Sequence, residues 1–197
     1  MLWTEDAPAP AQLPVPDGPL WVFGYGSLMW DPGFPHEAIL PATVDGFSRR
    51  FCVLSRGHRG TPEQPGLVVG LTPGGACRGL VIRADERHKP SVLDYLWRRE
   101  MDLADGYAPR WIEAATDDGR RLRALTFVAD LAHEAYAGSL SLDETARRIA
   151  RAVGRRGSNR DYLERTLGHL RELGIDDPGL QALGRAVRAL ADPEIAC

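Results

Sequence analysis

The sequence predicts an α+β domain, in which a small barrel or strongly curled sheet of antiparallel strands precedes a helical C-terminal region. Up to residue 128, short runs rich in Val, Ile, Leu and Phe alternate with Gly, Pro or Asp clusters and lack regular helical crossovers. Beyond residue 158, leucines recur at steps of three and four residues, which is the spacing of a buried helix face.

The first element of this fold follows a proline-rich arm. Residues 1–19 include "APAPAQLPVPDGP", which has five prolines and no apolar period, so we expect an extended arm followed by one domain over residues 20–192. The predicted strands then lie near Leu20–Phe23, Ala38–Val44, Arg50–Leu54, Gly66–Leu71, Gly79–Ile82, Arg110–Ala115 and Arg121–Val128.

Helices are predicted between and after these strands. One runs from about Pro90, whose ring suits a first helical turn, to Met101. Another begins after Ser158, which has Asp161 three residues on in the manner of a capping box. The leucines of the C-terminal region are therefore predicted to be core.

The composition is that of an ordinary globular protein. The 197 residues suit one domain, and 44% are hydrophobic and 26% charged. The formal net charge is −3, whereas a nucleic-acid-binding protein typically has an excess of basic residues. No apolar run reaches the roughly 18 residues of a membrane span, and no charged-then-apolar leader opens the chain. We expect a protein that binds neither nucleic acid nor membrane.

The cysteines and known motifs exclude several function classes. Cys52, Cys77 and Cys197 are odd in number and far apart, which argues against a disulfide framework and indicates a reducing, cytoplasmic compartment. The sequence contains no nucleophile elbow, no phosphate-binding glycine motif and no His or Cys pair at metal-ligand spacing, so we predict no metal site. The oligomeric state is left open, with a monomer as the expectation.

The first strand ends in an unusual way, in "LWVFGYGSLMW". Gly24, Tyr25 and Gly26 follow the apolar run, and Ser27 and Leu28 come next. Such glycines are often only a tight turn. The functional interpretation is that backbone N–H groups of residues 24–28 converge on an anionic or carbonyl oxygen, with the Ser27 hydroxyl as a further donor.

The predicted helix "PSVLDYLWRREMD" carries a carboxylate on its apolar face. Glu100 falls four residues after Leu96 and three after Trp97. A carboxyl there is either poised in a partly dry pocket with a raised pKa, as a general acid/base requires, or held in a structural ion pair with an arginine. A third segment, "SRRFCVLSRGHRGTPEQPG", is either a solvated loop or a substrate lid.

Four segments, taken in order, resemble the ChaC family, the glutathione-specific γ-glutamylcyclotransferases. They are "VFGYGSLMW", "RRFCVLSRGHRGTPEQPG", "YLWRREMDLADGYAPRW" and "GRRGSNRDYL". The resemblance covers Trp21 to Leu190 and implies a small mixed β-barrel flanked by helices. It also implies that glutathione is split into 5-oxoproline and Cys-Gly without metal or cofactor.

The resemblance assigns roles to individual positions. Glu100 matches the family's general acid/base, while the loop of Gly24, Tyr25, Gly26, Ser27 and Leu28 matches its substrate-binding loop. Arg50 and Tyr162 lie in family-like segments and are candidate substrate-binding residues, although Tyr162 could instead pack against the core. Asn159, in the same segment as Tyr162, could serve only the helix start.

Two other functions stay open at this point. The enzyme could accept a different γ-glutamyl amide, or the chain could be a catalytically silent binding module on the same fold. A carboxylate on an apolar helix face beside an intact glycine loop favours the enzyme.

Overall fold

The computed structural model describes residues 17–101 and 106–191, which form a mixed barrel with helices around it. The strands are β1 (Trp21–Gly24), β2 (His36–Ser55), β3 (Gly66–Ala84), β4 (Tyr107–Thr116), β5 (Arg121–Ala129), β6 (Val153–Gly154) and β7 (Gly157–Ser158). The helices are α1 (Lys89–Met101), α2 (Leu142–Arg151), α3 (Asn159–Glu172) and α4 (Pro178–Ala191). The predicted α+β barrel and helical C-terminal region are confirmed. The proline-rich arm up to residue 16 and Cys197 lie outside the described residues.

The apolar strand β1 closes the barrel. It pairs antiparallel with β3, with Val22 opposite Ile82, and parallel with β5, with Val22 opposite Leu125, so the strand order is β1-β3-β2-β4-β5. Both faces of β1 are covered by buried side chains, so Val22 and Phe23 are fully buried. The glycine loop that follows β1 therefore emerges at one end of the barrel.

The next two strands are longer than the sequence predicts. Four separate runs were expected over residues 38–82, whereas β2 and β3 form one long hairpin. The glycines that separate the runs lie inside the strands: Gly46, with φ of 81°, sits at a register shift, and Gly74 and Gly75 also have positive φ. They bend the strands without ending them.

Helices cover the barrel on two sides. On α1, Val92, Leu96 and Trp97 are buried, and the Trp97 ring lies edge-on to Phe127 at 6.4 Å. The predicted C-terminal leucines are buried in α3 and α4 except Leu190, which is 49% exposed in the last turn of α4. The Ser158 cap is also confirmed, because its Oγ accepts a hydrogen bond from the Asp161 N–H at 3.0 Å.

The sequence analysis missed α2. This helix begins with a complete capping box in which the Ser141 side chain and the Glu144 side chain bond each other's backbone N–H groups. Its buried side chains, Thr145, Ala146 and Ile149, lie on one face at a helical spacing that the sequence analysis did not use. Among the described residues, no helix is both long and apolar enough to span a membrane.

Candidate active site

Two adjacent cavities lie at the end of the barrel where the β1 loop emerges. The larger has a volume of about 660 Å³ and the smaller about 50 Å³. Four residues line both cavities, and they come from the β1 loop, α1, β4 and α3: Ser27, Glu100, Tyr107 and Tyr162. The fold thus brings together segments that are far apart in the sequence.

Glu100 projects from the last turn of α1 into both cavities. Its side chain is 18% exposed, and burial raises the pKa of its carboxyl, although the Arg99 guanidinium opposes that rise. Arg99 Nε lies 3.2 Å from Glu100 Oε1. The ion pair considered from sequence is therefore present, and the same carboxylate also faces the cavity.

Arg99 connects this carboxylate to the β1 loop. Its Nη2 donates to Ser27 Oγ at 2.9 Å, and its Nη1 donates to the Asp31 carbonyl at 2.7 Å and to the Tyr95 hydroxyl at 2.8 Å. With a side chain only 14% exposed, Arg99 is fixed at several points. It holds the Glu100 carboxylate in a defined position relative to Ser27.

The β1 loop turns back on itself in a short 3₁₀ turn, Ser27–Met29. The Met29 N–H donates to the Gly26 carbonyl at 2.9 Å, and the Asp31 N–H donates to the Ser27 carbonyl at 2.9 Å. Within the part of the chain that the structure describes, the N–H groups of Gly26, Ser27 and Leu28 have no acceptor. These three residues line the small cavity, as the functional interpretation of the loop requires.

Two other residues of the loop shape its fold. A Cβ on Gly24 would lie 3.1 Å from Leu28 Cβ, so the close return of the chain favours glycine there. Tyr25 is buried, and its hydroxyl donates to the Phe127 carbonyl at 2.6 Å across the barrel. Tyr25 also lines the small cavity. Gly24 is not among the described lining residues and instead allows the close return of the chain at Leu28.

Two tyrosines form the wall between the cavities. Tyr162 packs edge-on against Phe51 at 5.6 Å, and burial raises the pKa of its hydroxyl to about 12. It therefore both packs against the core and lines the site. Tyr107, which the sequence analysis did not single out, donates from its hydroxyl to the Val69 carbonyl. The only sequence signal for Tyr107 was its place in the family-like segment "DGYAPRW".

The fold does not place Arg50 at the cavities that most of the other candidate site residues line. It is exposed on β2 and lies outside the described lining of both cavities. The neighbouring Arg49 is buried instead, and its Nε donates to the Tyr25 carbonyl at 2.6 Å. Asn159 is fully buried, and its side-chain amide exchanges two hydrogen bonds with the Leu67 backbone, at 2.6 and 2.7 Å.

A further cavity, of about 760 Å³, lies between the diverging parts of β2 and β4. Its described lining includes Phe47, Trp111 and Glu113, and none of the candidate site residues. The candidate residues identified from sequence therefore do not lie at this cavity.

Known proteins share both the sequence and the fold. Residues 20–190 match the family described as ChaC-like protein. The chain is 37% identical over 174 residues to the glutathione-specific gamma-glutamylcyclotransferase of Escherichia coli K12, covering 88% of this chain and 75% of the relative. It is 34% identical over 194 residues to the human glutathione-specific gamma-glutamylcyclotransferase 1, covering 93% and 87%.

A solved structure extends this likeness to three dimensions. The crystal structure of the gamma-glutamyl cyclotransferase specific to glutathione from yeast superposes with a TM-score of 0.80 at 27% identity, covering 87% of this chain and 96% of the yeast chain. The matched region contains the β1 loop, α1 and α3, which carry the candidate site. This chain belongs to the ChaC-like protein family.

Proposed function

We propose that this protein is a glutathione-specific γ-glutamylcyclotransferase, a lyase that converts glutathione to 5-oxoproline and Cys-Gly in the cytoplasm. The observation that carries the proposal is the small cavity, where the largely buried Glu100 carboxylate, whose pKa is raised, lies beside backbone N–H groups that have no acceptor among the described residues. The names of the E. coli and human relatives and of the yeast structure support the same substrate.

The reaction needs no nucleophile from the protein. The α-amino nitrogen of the γ-glutamyl group attacks its own γ-carbonyl carbon, a C–N bond closes a five-membered lactam, and the amide bond to cysteine breaks. Intramolecular attack has a high effective molarity when the reacting atoms are held in position. The main task of the protein is therefore to hold the bent conformer, which the confined space between the β1 loop and Tyr107 suits.

Glu100 performs the proton transfers in this proposal. Its carboxylate accepts a proton from the α-ammonium group of the substrate, which frees the amine to attack, and returns the proton to the departing amine of Cys-Gly. Because the pKa of the Glu100 carboxyl is raised towards neutral pH, the group can both accept and donate a proton there. Arg99 orients the carboxylate through its contact at 3.2 Å.

The β1 loop supplies the complementary donors. Gly26, Ser27 and Leu28 line the small cavity, and in this proposal their N–H groups bind either the oxyanion of the tetrahedral intermediate or the substrate α-carboxylate. Ser27 Oγ accepts from Arg99, so its own proton is available to the substrate. Tyr25 and Tyr162 line the same space and contact the γ-glutamyl group, whereas this arrangement gives Arg50 no contact with it.

The substrate is the first thing to test. Reduced glutathione is expected to yield 5-oxoproline and Cys-Gly in equal amounts, in buffer with a chelator and without ATP, because the substrate supplies the nucleophile. γ-Glutamyl dipeptides such as γ-glutamylalanine should react more slowly. Both products can be quantified by chromatography. Loss of activity on chelation would contradict the mechanism, and a faster rate with γ-glutamylalanine would contradict the specificity.

A second expectation is that no cysteine takes part in the chemistry. Cys52 and Cys77 are free and buried, and burial raises the pKa of their thiols to about 12 and about 11, so neither forms a thiolate readily. Replacing Cys52 and Cys77 by alanine and Cys197 by serine should keep turnover per folded molecule within about threefold, since none acts as nucleophile. A covalent γ-glutamyl adduct detected on any cysteine by mass spectrometry would refute this.

A further inference from the structure

The mouth of the larger cavity is rich in arginine. Among its described lining residues, four guanidinium groups face two carboxylates, although the chain as a whole has a formal net charge of −3. The guanidiniums are those of Arg59, Arg98, Arg99 and Arg156, and the carboxylates are those of Asp31 and Glu100. Such a mouth favours an anionic group of the ligand.

Arg59 differs from Arg98 and Arg99 in this mouth. Arg98 pairs with Asp94 at 3.2 Å, and Arg99 pairs with Glu100. No carboxylate in the described residues forms an ion pair with Arg59, whose contacts are the Arg156 carbonyl and the face of Tyr162, 4.8 Å from its guanidinium carbon. A half-buried guanidinium is thus left without an anionic partner.

The surroundings of Arg59 add to this imbalance. Burial and the nearby guanidiniums of Arg165 and Arg156 lower the pKa of Arg59, while Tyr162 and Asp161 act in the opposite direction. Because its pKa is so far above neutrality, the group stays charged. A bound anion would relieve the repulsion.

The backbone holds Arg59 in place. The Arg59 N–H donates to Ser55 Oγ at 3.0 Å, and a Cβ on Gly66 would lie 2.3 Å from the Arg59 carbonyl oxygen. The neighbouring turn between β6 and β7 packs on the same loop, since the Arg156 N–H donates to the His58 carbonyl at 3.0 Å. The segment expected from sequence to be a solvated loop or a lid is therefore strand β2 up to Ser55 and, beyond it, a loop packed against β3 and β6.

We infer that Arg59, with Arg156 beside it, binds the carboxylate of the C-terminal glycine of glutathione and so selects the full tripeptide. This inference rests on the proposed function. With the γ-glutamyl group in the small cavity, the Cys-Gly portion extends into the larger one, and two extended residues span about 7 Å. Tyr162 lines both cavities, and the Arg59 guanidinium stacks on its ring. The guanidinium therefore lies at the larger cavity, which receives the Cys-Gly leaving group. A planar guanidinium stacked on an aromatic ring is preorganised to bind a carboxylate with two hydrogen bonds.

The test combines one variant with one altered substrate. Arg59→Gln and wild type are assayed with reduced glutathione and with its glycine monoethyl ester, in which a neutral ethyl ester replaces the distal carboxylate. In the wild type, the ester should have a kcat/KM lower by about 10- to 100-fold, the usual size of a lost charge-assisted hydrogen bond. Arg59→Gln should lose the same factor with glutathione, mainly through KM, and should no longer distinguish the two substrates.

Controls separate a direct contact from a general field effect. Arg165→Gln removes a nearby positive charge from a residue outside the described cavity lining, so it should keep the preference for glutathione over the ester. Arg156→Gln, on an exposed turn, should weaken that preference only in part.

Each result has a definite meaning. Equal use of glutathione and the ester by wild type, or a preference that survives in Arg59→Gln, would overturn the inference while leaving the cyclotransferase activity established. Equal use of the two substrates by wild type overturns the inference even if Arg59→Gln fails to fold. Absence of 5-oxoproline from wild type and glutathione would overturn the proposed function and this inference together.

Discussion

Replacing Glu100 with glutamine is expected to lower the turnover of glutathione by about 100-fold or more, the scale of a lost general acid/base. Glutamine keeps the shape of the side chain but exchanges no proton at neutral pH. Glutathione should still bind, because the β1 loop and the cavity walls are unchanged. The measurements are 5-oxoproline release per folded molecule and calorimetric binding of glutathione. Glu113→Gln is the matched control, since Glu113 is an exposed carboxylate on β4, ion-paired with Arg121 and outside the described lining of both site cavities.

Thermal stability separates the catalytic role of Glu100 from a purely structural one. Because burial raises the pKa of Glu100 in the folded protein, its ionised form opposes folding, and this cost is present above that pKa and disappears as the pH falls through it. Glutamine removes the cost. Arg99 also retains its bonds to Ser27, Asp31 and Tyr95 in the variant.

The melting temperature of Glu100→Gln should therefore equal or exceed that of wild type at neutral pH, with the difference shrinking towards acid pH. A lower melting temperature at neutral pH, with activity falling only in proportion to the folded fraction, would identify Glu100 as a structural ion-pair partner. Turnover near that of wild type in a folded variant would remove it from the mechanism.

The sequence is most informative where one local pattern determines both where a residue lies in the fold and whether its side chain is buried. The helical spacing from Leu96 and Trp97 was enough to place Glu100 on the buried face of α1. Likewise, an apolar run ending in glycines predicted that β1 is buried and that a loop follows it. In both cases the relevant contacts lie within a few residues of the pattern.

Contacts between distant segments were not accessible in this way. Arg99 bonds Ser27 across 72 residues, and Arg59 stacks on Tyr162 of α3. The choice between Arg49 and Arg50 shows a second reason. Alternation along a strand decides which of two neighbours points inward, but the register shifts in β2 interrupt the alternation. The buried arginine is Arg49, which no sequence pattern distinguished.

Arg49 connects three parts of the fold around the β1 loop. Its side chain is 2% exposed and donates to the carbonyls of Tyr25 and Arg78 and to the Asp177 carboxylate, the last at 2.9 Å. The other oxygen of Asp177 accepts from the Leu180 N–H at 3.0 Å, at the start of α4. One guanidinium thus joins the loop, the β2–β3 hairpin and the C-terminal helix.

Arg49→Met is therefore expected to lower the free energy of unfolding by about 3 to 5 kcal/mol, the usual cost of removing one partner of a buried ion pair. For a domain of this size, that corresponds to a drop in melting temperature of about 6 to 20 °C. Methionine fills much of the same volume, so the loss would come from the unpaired Asp177 carboxylate and the two carbonyls. Denaturant unfolding followed by circular dichroism measures it.

Two companion variants show whether the ion pair is responsible. Arg50→Met changes the exposed neighbour and should alter stability by no more than about 0.5 kcal/mol. Asp177→Asn in the Arg49→Met background removes the stranded charge but keeps an oxygen for the α4 cap, so the double variant should lose less than the sum of the two single losses. Strictly additive losses, or equal effects at positions 49 and 50, would mean that the pair does not couple the helix to the loop. The hydrogen bonds from Tyr25 to the Phe127 carbonyl and from Arg99 to Ser27 would then have to hold the loop without help from Arg49.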